Sequence, residues 1–380
     1  MTYRIGFVGT GDPDGDGFAM AYRHAAGYQR LDGCEVVACA DLDADNAQRF
    51  AAEHGIPETH VYGDHETMLQ SAEPDIVSVA VPPPVHADVV VDIARSGVAD
   101  AVHCEKPMAL TWAGARRMAE VCERAGVQLT VNHQLRFGRP YRETKRLLDS
   151  GAVGDPVRIE FHEQNLYDSG THAFDLANFY VDQTPVEWAL GQIDYSTENV
   201  LFGTHNENQG LVQWRYENGV YGIASTGRGE SFVDAYLRVE GTDGTLEVGD
   251  DGTLRCRRDG QGWEEVDTGP DGRYFPDPST PRRVTEALTR KVSDRLADRF
   301  HTPAYTERAV ADVVASLREG TRPELAAEKA LDAAELIFAT WESARRRGRV
   351  EFPLEVDDNP LEAMVESGDL HPEPAGSPSP

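Results

Sequence analysis

Within the first 135 residues, short apolar runs alternate with helix-like stretches, and this alternation constrains the fold more than any other feature. The runs are residues 3–9, 35–41, 75–81, 101–104 and 127–132. Each is too short for a typical helix and too continuously apolar to be half exposed. Each therefore reads as a strand covered on both faces. Between them, residues 18–31, 45–54, 85–96 and 112–125 carry helical patterning, and Gly55 and Gly126 stand where two of these should stop. Repetition of this kind predicts a doubly wound parallel sheet.

The pattern changes after residue 136. A helix over 141–149 leads into a longer alternating strand at 157–165 and a short helix at 172–180. Asn218-Gly219 separates two strand-like runs, 211–217 and 220–226, a strong hairpin signal. A second tight turn lies between 236–241 and 245–249, and helices over 305–319 and 323–346 follow. The expected domains are 1–135, binding a dinucleotide, and 136–354, an α+β unit for substrate and assembly. Residues 355–380 are acidic and rich in Pro and Ser, and read as a disordered tail.

Gly9-Thr10-Gly11 follows the first strand and precedes a helix. Glycines serve there because the backbone turns tightly and must approach a pyrophosphate, which the helix N-terminus then attracts. Asp14 occupies the expected third glycine position, so the loop reads as lengthened, with Gly17 (or Gly15) in the third role. Gly17 precedes Asp41 by close to the roughly 20 residues usual between loop and ribose-binding acid. A carboxylate at Asp41 accepts from both adenosine ribose hydroxyls and repels a 2′-phosphate. Leu42 and Asp43 follow it rather than arginine, so NAD is favoured over NADP. Asp12-Pro13-Asp14-Gly15-Asp16-Gly17 also matches the start of a calcium loop, but Arg23 stands where the bidentate glutamate belongs. No metal site is expected.

Three further strings carry chemistry: Val81-Pro82-Pro83-Pro84-Val85-His86, Glu105-Lys106-Pro107, and the run 168–175, from Asp168 through Gly170 and His172 to Asp175. In their order and spacing, with the glycine loop, they resemble the glucose–fructose oxidoreductase / inositol dehydrogenase (Gfo/Idh/MocA) family over about residues 3–350. The resemblance implies an α/β fold: an N-terminal Rossmann doubly wound parallel sheet plus a C-terminal α+β domain with a largely antiparallel open sheet. Oxidising a secondary alcohol needs a base for its proton while hydride leaves to a nicotinamide. His172 is the candidate base, expected in a helix's first turn, where the positive dipole end disfavours imidazolium. Asp168 would orient it or the substrate. By resemblance, Lys106 holds the reacting oxygen and Glu105 meets the nicotinamide ribose. Pro82 and His86 are candidates to lie near the nicotinamide, with His86 otherwise a helix-start residue, and Asn132, Gln134, Arg136 and Asp175 are candidates to reach substrate.

The implied activity is an NAD(P)-dependent dehydrogenase of a sugar, sugar acid or cyclitol. Alternatives are a cofactor-retaining NAD enzyme that cleaves glycosides or performs internal redox, and a non-catalytic NAD-binding protein. A homodimer or homotetramer packed through the open sheet face is expected. The chain carries 65 acidic against 36 basic residues, net charge −29. That balance argues against nucleic acid and anionic membrane as partners. The acids are spread along the whole chain, which suggests solvent adaptation and a halophilic source. No apolar run reaches the roughly 17–25 residues of a membrane span. Without a secretory pattern, and with five cysteines lacking metal-ligand spacing, a cytoplasmic location is expected.

Overall fold

The computed structural model describes residues 2–15, 19–227, 232–271 and 301–375. Strands β1 (Tyr3–Val8), β2 (Cys34–Ala40), β3 (Val61–Tyr62), β4 (Ile76–Val79), β5 (Ala101–Cys104) and β6 (Gln128–Val131) form one parallel sheet. Its order is β3-β2-β1-β4-β5-β6, reversing direction beside β1. Helices α1 (Met20–Tyr28), α2 (Ala44–His54), α3 (His65–Ala72), α4 (Pro83–Ser96) and α5 (Trp112–Ala125) connect the strands. Their starts are specified locally. Asp43, Asp64 and Thr111 accept hydrogen bonds from first-turn N–H groups of α2, α3 and α5, and α4 begins on proline.

Strand register positions the site. Val8 pairs with Ala40 and Val79, Val79 with Cys104, and Cys104 with Val131. These residues end their strands at one level. The chain therefore leaves the sheet at Gly9, Asp41, Ala80, Glu105 and Asn132 side by side, at the carboxyl edge where doubly wound sheets bind ligands.

Helix α6 (Arg139–Asp149) leads to the second lobe, which contains β7 (Pro156–Glu163), α7 (Gly170–Tyr180), β8 (Val186–Asp194) and a small hairpin, β9 (Val200–Leu201) with β10 (Thr204–His205). Then come β11 (Gln209–Tyr216), β12 (Tyr221–Gly227), β13 (Leu237–Gly241), β14 (Gly244–Val248), β15 (Leu254–Arg258) and β16 (Glu264–Glu265). The last elements are α8 (Tyr305–Glu319), α9 (Ala327–Arg346), β17 (Val350–Glu351) and α10 (Pro360–Ser367). The nine-stranded sheet runs β16-β15-β14-β13-β7-β12-β11-β8-β17. Among the described residues of this sheet only the β7–β12 pair is parallel, and Asn218-Gly219 makes the β11–β12 turn. One face packs on α7 and α9 around Phe161, Phe174, Trp214 and Phe338.

Two boundary expectations are corrected. Val310, Val313 and Val314 of α8 complete the first-lobe core with Tyr3, Ile5 and Tyr28, so residues 136–354 are not confined to the second lobe. The stretch read as a disordered tail is folded through residue 375. Asn359 caps α10, and Leu361 and Met364 are buried. Composition pointed to disorder, but Asn-Pro at the helix start and Gly368 after its end fit a helix. No helix among the described residues is long and apolar enough to cross a membrane.

Candidate active site

A cleft of about 710 Å³ opens along the carboxyl edge of the parallel sheet. It runs from Asp41, Leu42 and His65 past the Gly9–Gly11 loop and Val81–Pro83 to Glu105, Lys106 and Asp168. The volume lies within the roughly 300–1,000 Å³ of small-molecule sites. Gly9 and Gly11 both have positive φ, +80° and +67°. A Cβ on Gly9 would lie 2.7 Å from Val81 Cγ1, so no side chain fits between the two loops. A Cβ on Gly11 would meet nothing within 4 Å. The loop is thus bare backbone facing open space, as a pyrophosphate cradle requires.

Asp41 is tied to that loop. Its Oδ2 accepts from Thr10 N (2.6 Å), Thr10 Oγ1 (2.8 Å) and Gly11 N (3.2 Å), and Oδ1 from Asp43 N (2.9 Å). Burial opposes ionisation, but these donors outweigh it and hold the carboxyl below the usual aspartate range. The aspartate-rich insertion is clamped from α2, with Arg49 Nη1 2.5 Å from Asp12 and 3.4 Å from Asp14. Gly17 lies outside the described residues.

At the other end of the cleft the lobes meet. Lys106 Nζ donates to the Asp168 carbonyl (2.8 Å) and to its Oδ1 (3.0 Å). Asn165 Oδ1 fixes the acid by accepting from Asp168 N (2.7 Å) and Ser169 N (3.0 Å). The Lys106–Pro107 bond is cis. His172 is buried in the first turn of α7, its ring edge-on to His133 at 5.6 Å. Burial, reinforced by the charges of Lys106 and His133, drives its pKa well below 6.5 against the pull of Asp175 and Glu105. These causes favour the neutral imidazole, and burial leads them rather than the helix dipole that the sequence suggested.

Glu105 lines the cleft but is mostly buried. Its Oε1 lies 2.8 Å from His24 Nε2 and accepts from Asn132 Nδ2 (2.7 Å). Burial would raise its pKa, yet His24, Asn132 and Lys106 bring it down to about 2. Pro82 lines the cleft and caps α4.

Six candidates are not on the cleft lining: His172, buried behind it, and the five that follow. His86 is fully buried, its ring nitrogens 2.9 Å and 2.7 Å from the carbonyls of Pro107 and Val81, so it ties the Lys106 loop to α4. Asn132 supports Glu105. Gln134 is buried, with no hydrogen-bond partner for either amide atom among the described residues. Arg136 and Asp175 pair with each other, Nε–Oδ2 2.5 Å and Nη2–Oδ1 2.9 Å, and Arg136 also reaches Gln183 and Glu324. The pair is structural because both groups are almost wholly buried and each answers the other's charge.

Sequence reasoning also missed three supports. His24 lies one helix from the glycine loop and bridges Glu105 to Ser78 Oγ (2.7 Å). His133 joins Asp175 (3.2 Å) to Thr171 Oγ1 (2.9 Å). Glu207 is buried and accepts from Leu166 N (2.6 Å), Thr226 Oγ1 (2.8 Å) and Trp341 Nε1 (3.1 Å), anchoring the loop before Asp168.

Two family models match the chain. One, described as an oxidoreductase family NAD-binding Rossmann fold, matches residues 3–133. The other, the same family's C-terminal alpha/beta domain, matches 165–352. The chain belongs to the Gfo/Idh/MocA oxidoreductase family. The Gfo/Idh/MocA assignment makes the first lobe an NAD-binding Rossmann domain. The chain is 27% identical to a D-apiose dehydrogenase of Paraburkholderia graminis, covering 93% of this chain and 92% of that protein. It is 31% identical to an inositol 2-dehydrogenase of Burkholderia multivorans, over 53% of this chain and 58% of that protein. An Agrobacterium radiobacter oxidoreductase solved with NAD+, L-tartaric acid and magnesium shares the Gfo/Idh/MocA fold. Its TM-score is 0.72 at 19% identity, covering 92% of this chain and 98% of that one.

Proposed function

We propose that the chain is an NAD-dependent dehydrogenase of a secondary alcohol on a sugar, sugar acid or cyclitol. The observation that carries this reading is the Lys106–Asp168 contact, which joins two lobes at the cleft end opposite Asp41. The names of the sugar and inositol dehydrogenases among the relatives support the substrate class.

The residues fit the cofactor: Asp41 would take the adenosine ribose, Gly9–Gly11 the pyrophosphate, and Pro82 and Glu105 the nicotinamide half. Bound there, NAD would supply the hydride acceptor. Lys106 donates to the reacting oxygen and stabilises its growing negative charge, and Asp168 fixes the ammonium where that oxygen must lie. His172 accepts the hydroxyl proton. Its depressed pKa sets a pH signature. A base works deprotonated, so kcat/KM for oxidation stays flat as pH falls to 6.5 and declines only below it. A decline centred at or above 6.5 would remove His172 from this role.

Asp41 also carries a quantitative expectation. Asp41→Ala loses charged hydrogen bonds of about 1.5–3 kcal/mol, so KM for NAD rises about tenfold to a hundredfold. Preference over NADP falls at the same time, since repulsion of the 2′-phosphate is gone. Steady-state kinetics with both cofactors checks this, and an unchanged preference contradicts it.

The direct test of function is a panel of sugars, sugar acids and cyclitols incubated with NAD and followed by NADH absorbance. Turnover of a secondary alcohol with net NADH is the expected result. Bond cleavage without net NADH would indicate the cofactor-retaining alternative instead.

A further inference from the structure

We propose that Phe202 is a cofactor-contact residue, and that residues 355–375 form the brace holding it over the cleft. The inference rests on the reading of the cleft as a dinucleotide site.

Among the described lining residues, only Asp168 and Phe202 come from the second lobe. Phe202 sits at the tip of the β9–β10 hairpin, where Leu201 pairs with Thr204 across a two-residue turn. Both turn residues have positive φ, +52° at Phe202 and +79° at Gly203. Such turns favour Asn, Asp or Gly in the first position, and a bulky residue there is a backbone outlier. The residue is also 43% exposed. The backbone therefore disfavours phenylalanine here, and its place on the cleft lining argues that it serves a contact there. Two other exposed apolar side chains, Leu42 and Val85, line the same cleft from the first lobe. Together they offer apolar surface to the flat faces of a dinucleotide. A Cβ on Gly203 would lie 3.6 Å from Pro84 Cγ, so the turn rests on the start of α4.

A hairpin with two residues per strand does not hold itself in place. The C-terminal segment supplies the support. Glu362 of α10 accepts from His205 N (2.9 Å) through Oε1, and its Oε2 lies 3.6 Å from His205 Nε2. Glu198 N donates to Glu373 O (2.7 Å) and Glu373 N to Ser196 O (2.8 Å), pinning the strand's approach. The segment is anchored in turn behind the Lys106 loop, where Asn359 Nδ2 donates to Leu110 O (3.0 Å). The family match ends at residue 352, so the brace lies beyond the matched domain.

The test is NADH binding to the full chain, read as equilibrium affinity and dissociation rate. Asp41→Ala serves as the control for the cleft itself. Phe202→Ala is expected to weaken NADH binding by about tenfold, chiefly through faster release, with the thermal midpoint of the NAD-free chain unchanged. Glu362→Ala, which removes the acceptor for His205 N, is expected to weaken it less, and to add little in the Phe202→Ala background, because it acts through the same side chain. Wild-type affinity in Phe202→Ala, with Asp41→Ala impaired, overturns the contact while leaving the dinucleotide reading intact. Wild-type behaviour of Glu362→Ala overturns the brace. Failure of wild type to bind NADH, or indifference to Asp41→Ala, contradicts the cleft reading and this inference with it.

Discussion

Lys106→Ala lowers kcat for the oxidised polyol by about a hundredfold to a thousandfold, the range for removing a donor aimed at developing oxyanion charge. NADH affinity and the thermal midpoint stay close to wild type. The reason is geometric. Lys106 is held at 2.8 Å and 3.0 Å by two oxygens of Asp168, a residue of the other lobe, so its ammonium is fixed before substrate arrives. An ammonium serving only to join the lobes would give a different pattern: lost stability, with kcat largely kept. Lys106→Arg rescues little, because a planar fork does not place one donor where a compact ammonium did. Steady-state kinetics beside thermal unfolding separates the two roles.

Arg136→Ala has the largest expected effect on stability, about 3–5 kcal/mol, the cost of leaving a buried charge without its partner. Arg136 and Asp175 are each 1% exposed, and the guanidinium also packs 5.0 Å over the Phe179 ring. The Arg136 and Asp175 substitutions are coupled. Asp175→Ala in the Arg136→Ala background costs less than it does alone, since a carboxylate left with only His133 beside it is already a liability. Denaturant unfolding of the four proteins of this cycle measures the coupling. A stable Arg136→Ala variant with raised substrate KM would return Arg136 to the substrate-binding role that its sequence position first suggested.

These two residues also mark how far the sequence was legible. Lys106 could be found because local signals coincide: a short apolar strand, a following Glu-Lys-Pro, and a topology that brings such loops to one edge. Asp41 and Gly9–Gly11 follow the same logic. The Asn218-Gly219 hairpin and the helix at residues 112–125 were readable from turn chemistry and periodicity. Arg136 and Asp175 were not, because 39 residues separate them and nothing local announces the pairing. His86 looked like a site residue until both ring nitrogens proved to face backbone carbonyls. Helix α10 was hidden by composition. Its acids and prolines suggest disorder, and they outweighed the Asn-Pro start and the Gly368 stop; burial of Leu361 and Met364 favours the helix. Strand β8 (Val186–Asp194) went unseen for a related reason. It is half exposed along most of its length, so no apolar run marks it.

The central claim is that one cleft receives the dinucleotide with its reactive end at the junction of the lobes. A crystal structure of the full chain with NADH tests it most directly. The account predicts the adenosine ribose against Asp41 and nicotinamide C4 facing the Lys106 ammonium, with the His172 imidazole on the substrate side. A cofactor bound in the reverse sense, or outside the cleft, would contradict it.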